Sequence, residues 1–267
     1  MTAIFLKPIL TIVLIAITFG LIGVFVVWKK IAYFGDSISH SMLLAVVLGA
    51  LWQMNQNLTF LSYAFIYGIL SATILHSEIF SRDSLMMILS YFAIALAFLI
   101  RDFFLTNLDF SSYIFGDLMM VGTNEVLALS LLTIFVIIFT FCFHKKILMI
   151  NINQDLTKIK GHKIILTNII FSALLIITIA LTIQIVGIFL VTALLILPAS
   201  IARIFARSPQ QMLTLSLIVA IIFSLGAFKI AESYDLTVSA SIVMTLISVF
   251  IVGLTLKKLI TIFYEKY

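Results

Sequence analysis

The sequence predicts an all-α fold, a polytopic transmembrane helical bundle of about eight or nine spans, and three observations carry that prediction. The 267 residues are 63% hydrophobic and only 10% charged, whereas soluble domains are about one quarter charged. The mean hydropathy of +1.28 reflects apolar runs along the whole length and not one anchor. Those runs are about twenty residues long, the length that crosses a ~30 Å hydrocarbon core at ~1.5 Å per residue. A β-barrel would instead show short segments of alternating hydrophobicity. No stretch is long and polar enough for a soluble domain. The chain therefore reads as a single transmembrane domain, 1–267, with one long polar loop at about 144–163.

The first span is expected over Pro8 to Trp28. Proline suits a helix's first turn, where its missing N–H costs nothing, and Gly20 and Gly23 allow another helix to come close. The run is too long for the apolar core of a signal peptide, has no small-x-small cleavage site and ends on Trp28-Lys29-Lys30, so it reads as a retained span. Spans follow at about Ala32 to Trp52, Leu58 to Leu75 and Leu85 to Leu105, the last ending on Arg101 and Asp102. Asn107 to Asp117 is too short and too polar to cross, which suits a re-entrant or interfacial turn. A fifth span covers Val121 to Phe143. Four more cover about Ile164 to Ile183, Val186 to Ala206, Met212 to Phe228 and Val238 to Leu256.

Charge orients these spans. His144 to Lys163 holds Lys145, Lys146, Lys158, Lys160 and Lys163 against one acid, Asp155, so by the positive-inside rule this loop is cytoplasmic. Lys29/Lys30, Arg82, Arg203/Arg207 and Lys257/Lys258 then also fall inside, while the acidic 102–117 loop and Glu232/Asp235 fall outside. The net charge of +5 thus reports topology and not nucleic-acid binding. The one cysteine, Cys142, excludes an internal disulfide and a cysteine-based zinc site.

Few positions carry chemistry. In YFGDSISHSMLL, Tyr33 to Leu44, Asp36 and His40 are four apart and share one face of a helix. An ionisable pair within a span is a functional-site candidate by default. Carboxylate and imidazole together suit a borderline divalent metal or proton handling. The bland alternative is a helix start, with Asp36 as cap and His40 packed. The flanking serines are candidates to orient the pair by hydrogen bonds, and Gly35 to break or closely approach the backbone. Asp155 to Gly161 reads either as a short capped helix that docks a partner or as a solvated basic loop. Pro198, in LLILPASIAR, reads as a kink, with Ala199, Ser200 and Ala202 beside it open to another helix. Met86/Met87 and Met119/Met120 read as packing. No nucleotide-binding loop, HExxH or nucleophile–base set occurs, so the chain is not expected to be an enzyme. Energy for any active transport would come from a partner or an ion gradient.

Taken together, several stretches resemble one family. GVFVVWKKIAYFGDSISHSMLLAVVLG is similar to an opening signature in which a basic pair precedes GD-x3-H. SSYIFGDLM resembles YLFGDLL, NQDLTKIKG resembles a DLA-x3-G loop, and VGIFLVTALLILPASIARIFARSPQQM resembles VG-x-LV-x-ALL-x-x-PA. These occur in order and nearly end to end. The chain is identified as a member of the ABC-3 family, the membrane permease subunits of bacterial ABC importers for zinc and manganese, and it is most similar to the zinc branch. The resemblance implies an ABC importer permease fold in the bacterial inner (plasma) membrane. It implies Zn²⁺ as transported substrate, with Mn²⁺ or iron(II) as alternatives, and no permanently bound cofactor. Its implied partners are a cytoplasmic ABC ATPase, a second permease copy in a homodimer and a periplasmic or extracellular metal-binding protein. A stand-alone proton-coupled metal transporter is the rival reading. By resemblance, Asp36 and His40 contact metal, Asp155, Leu156 and Gly161 couple to the ATPase, and Gly35, Gly116, Asp117 and Pro198 are motif positions. Thr157 replaces the family's alanine in DLA, and Thr237 and Ser239 stand where relatives often carry Pro-x-Gly.

Overall fold

A computed structural model describes residues 2–74, 81–104, 108–152 and 164–265. All regular structure in them is helical. The helices are α1 (Thr2–Lys29), α2 (Ala32–Leu51), α3 (Gln56–Ile74), α4 (Arg82–Phe104), α5 (Ser111–Phe115), α6 (Thr123–Ile152), α7 (Ile164–Phe205), α8 (Pro209–Tyr234) and α9 (Val238–Glu265), with a 3-10 turn at Leu118–Met120. Seven of them are long and apolar enough to cross a membrane. The 19-residue α3 is a further candidate. At 42 residues, α7 is twice the length one crossing needs, which accommodates the two spans expected over this region.

The chain clusters into two compact units. One comprises Met1–Lys30, Leu118–Phe141 and Ala193–Tyr267, the other Ile31–Asp117 and Cys142–Thr192. In the first, α1 packs along α8, and α8 along α9. Small residues set the α1 contacts. A Cβ on Gly20 would come within 3.2–3.3 Å of Ala220 and the α8 backbone, and one on Gly23 would overlap the Leu195 carbonyl of α7. Across the first contact the Ser216 hydroxyl donates to the Gly20 carbonyl at 2.6 Å. Ala199, beside Pro198, also faces Gly23, the close approach expected of that small-residue stretch. Trp28 packs edge-on against Phe25 and donates its indole N–H to the Met212 sulfur at 3.2 Å.

In the second unit α2 is flanked by α3 and α4. Arg101 covers the Phe98 and Phe110 rings at 5.0 and 5.1 Å. The segment before residue 118 is the expected non-crossing turn. Asp109 accepts from the Ser111 backbone N–H and hydroxyl, bonds that hold its exposed carboxyl below the usual range, and α5 then ends on Gly116.

Four expectations need correction. α1 starts at Thr2, so Pro8 lies inside it, at the cost of one backbone bond to the carbonyl four residues back. α2 runs unbroken through Gly35, so that glycine makes no break, and Asp36 lies beyond the first turn and is not a cap. α6 continues to Ile152; a helix does not stop where the lipid does, and lysines are good helix formers. Finally, the break in α7 is at Gly187 (φ 78°, ψ 163°), and the helix continues through Pro198.

Candidate functional site

The GD-x3-H spacing does what helical geometry demands. On α2, Asp36 and His40 sit one turn apart, with His40 Nδ1 3.4 Å from Asp36 Oδ1 and 3.0 Å from the Asp36 backbone carbonyl. A carbonyl only accepts, so Nδ1 carries a proton, and whenever the ring is neutral its lone pair is on Nε2. Fixing one nitrogen in this way prepares the other as a ligand. Both side chains are about two-fifths exposed, 41% for Asp36 and 40% for His40. They line a pocket of about 100 Å³ whose other residues are Tyr33 and Ser37 of α2 and Met87, Ser90, Tyr91 and Ile94 of α4.

The serines do not orient the pair. The Ser37 hydroxyl donates to the Met86 carbonyl of α4 at 2.7 Å and shares a 2.6 Å bond with the Tyr67 hydroxyl of α3. Ser39 donates to the Gly35 carbonyl and Ser41 to that of Ile38. A serine buried in an apolar helix satisfies itself on the nearest free acceptor. Ser37 therefore ties α2 to its neighbours, which fixes the wall that holds Asp36 and His40. Met87, read from sequence as packing, is 41% exposed and lines the pocket.

The remaining predicted positions are not gathered here. Gly116 and Asp117 lie in the turn after α5, where Gly116 (φ 72°) abuts Gly187 (φ 78°) of α7. A Cβ on Gly116 would overlap the Val186–Gly187 peptide, and one on Gly187 would overlap the Phe115–Gly116 peptide. Two motif stretches far apart in sequence, FGDL and VGIF, thus meet backbone to backbone. Pro198 is buried in the other unit. Asp155, Leu156 and Gly161, and with them the coupling segment, lie outside the described residues. Among the described residues no three His, Cys, Asp or Glu side chains cluster as a metal cage. Sequence reading missed the α4 wall; its only signal is the helical spacing of Met87, Ser90, Tyr91 and Ile94 within an apolar span.

The profile of the ABC 3 transport family matches residues 1–257. The chain belongs to that family. As an ABC 3 member it is a membrane permease subunit of an ABC transporter and not an enzyme, and its helical spans make it a multi-pass inner-membrane protein. Among the relatives, the high-affinity zinc uptake system membrane protein ZnuB of Haemophilus influenzae is 30% identical over 95% of this chain and 98% of its own. The manganese import system permease protein ScaB of Streptococcus gordonii is 24% identical over 92% and 89%. Among solved structures, PsaBC from Streptococcus pneumoniae in complex with Fab superimposes with a TM-score of 0.81 at 24% identity, covering 94% of this chain and 90% of that one. An inward-facing putative metal-chelate type ABC transporter gives 0.76 at 15% identity, covering 94% and 85%. The all-α ABC importer permease fold expected from the sequence is therefore the fold observed.

Proposed function

We propose that the chain is the permease of a zinc importer and that Asp36 and His40 contact the ion in its path. The observation that carries this reading is the pocket between α2 and α4, where a carboxylate and an imidazole with a free Nε2 share one wall. Carboxylate oxygen and imidazole nitrogen both bind Zn²⁺. Two protein donors without a closed cage suit an ion that must be released, since a full four-ligand site would retain it. The zinc assignment draws on the ZnuB relatives, of which those from Haemophilus influenzae and Buchnera aphidicola are 28–30% identical. Manganese is the second reading, favoured by the ScaB and MntC relatives at 24–26%.

In this proposal a separate cytoplasmic ATPase grips the basic segment that includes Asp155, Leu156 and Gly161. Two permease copies form the path, and an outer metal-binding protein delivers the ion. Nucleotide turnover switches access to the Asp36/His40 pocket from the outer to the inner side. The test is ⁶⁵Zn²⁺ uptake by cells carrying Asp36→Ala or His40→Ala. Both variants are expected to lose uptake while the complex with the ATPase still purifies intact. Normal uptake in both would remove the pair from the path.

A further inference from the structure

The second wall of the Asp36/His40 pocket holds a polar group left without a partner. α4 lines the pocket with Met87, Ser90, Tyr91 and Ile94. Ser90 is only 7% exposed, yet among the described residues its hydroxyl has no hydrogen-bond partner. Hydroxyls elsewhere in these helices bond the carbonyl four residues back, as in Ser39 to Gly35, Ser130 to Val126 and Thr178 to Leu174, at 2.7–2.9 Å. For Ser90 that carbonyl belongs to Met86, and it already accepts the Ser37 hydroxyl of α2 at 2.7 Å. The bond that fastens α2 to α4 therefore takes the acceptor nearest Ser90. Ser90 lines the pocket, so its hydroxyl is available to a ligand held there.

We propose that the Ser90 hydroxyl is a third donor to the transported divalent cation, beside the Asp36 carboxylate and His40 Nε2. The inference rests on the pocket being the ion's path. A hydroxyl oxygen is a weak neutral donor, so it adds affinity and position without closing a cage. It also bears on selectivity. An oxygen at this position serves hard and borderline ions alike, whereas sulfur would favour zinc over manganese.

The experiment measures ⁶⁵Zn²⁺ and ⁵⁴Mn²⁺ uptake against metal concentration, using the full chain with its ATPase in membrane vesicles. Zn²⁺-dependent thermal shifts of the purified complex give binding independently. Ser90→Ala is expected to raise the KM for zinc about fivefold, the equivalent of ~1 kcal/mol. Vmax and complex yield should stay unchanged, and the thermal-shift midpoint should move by the same factor. Ser90→Thr, which keeps the hydroxyl, should restore the KM, and Ser90→Cys should raise the zinc-to-manganese ratio. An unchanged KM and unchanged binding in Ser90→Ala would overturn the assignment, as would a fall confined to Vmax and yield. If Asp36→Ala loses uptake while Ser90→Ala binds zinc normally, only Ser90 leaves the site. If Asp36→Ala transports normally, the pocket itself is not the path.

Discussion

Gly23 and Gly226 are glycines in long helices of the same unit, and their surroundings give them opposite fates. A Cβ at Gly23 would overlap the Leu195 carbonyl, while one at Gly226 would meet nothing within 4 Å. Gly23→Ala should destabilise by about 1–3 kcal/mol, because backbone must move to make room. Gly226→Ala should be neutral or stabilising by up to ~1 kcal/mol, since alanine is the better helix former. Thermal melting of the detergent-purified chain checks both. A lower melting temperature for the Gly226 variant would contradict the open space seen there. At this scale the sequence was partly legible. Asp36 and His40 are read directly, because four-residue spacing places two side chains on one helix face whatever surrounds them. The partners of Ser37, Ser39 and Ser41 were not legible. A buried serine chooses among all acceptors in reach, and the nearest for Ser37 lie on α3 and α4.

Between elements, the notable junction is the turn after α5 against the break in α7. Both Gly116 and Gly187 have positive φ, a region that costs other residues about 1–3 kcal/mol, and each also lacks room for a Cβ. Gly116→Ala and Gly187→Ala should each cost more than Gly23→Ala and lower the yield of folded chain, as size-exclusion profiles of the purified variants would show. Equal yields for all three would mean the junction relaxes easily. The proposed coupling segment supplies a separate prediction. Reversing charge at Lys158 and Lys160, or Gly161→Pro, should reduce co-purification of the ATPase while leaving the folded permease intact. Undiminished co-purification and hydrolysis would move the docking site elsewhere. Span positions were legible from apolar run length alone. Helix ends were not, since α6 extends past Phe143. Proline drew attention to residue 198, but a proline can sit in a continuous helix by giving up one bond. The residue that leaves helical geometry is a glycine, whose freedom is invisible until its neighbours are known.

For the whole molecule, the question is which ion crosses. If the importer carries zinc, expressing it in cells deleted for their own permease should restore growth under zinc limitation and not under manganese limitation. Rescue by manganese alone would reverse the assignment. Family and fold were legible because ordered motifs and regular apolar runs constrain the entire chain at once. The pocket was only half legible, because its α4 wall carries no charge and differs from a lipid-facing stripe only by what packs against it. The Gly116–Gly187 junction has a further consequence for any genetic selection. When a large side chain is disturbed, a second mutation can often compensate by shrinking its neighbour. Here both sides of the contact are already at the smallest residue available. A strain carrying Gly116→Ala should therefore yield true revertants almost exclusively, with any second-site suppressors found in the segments that set the backbone spacing and none at residue 187.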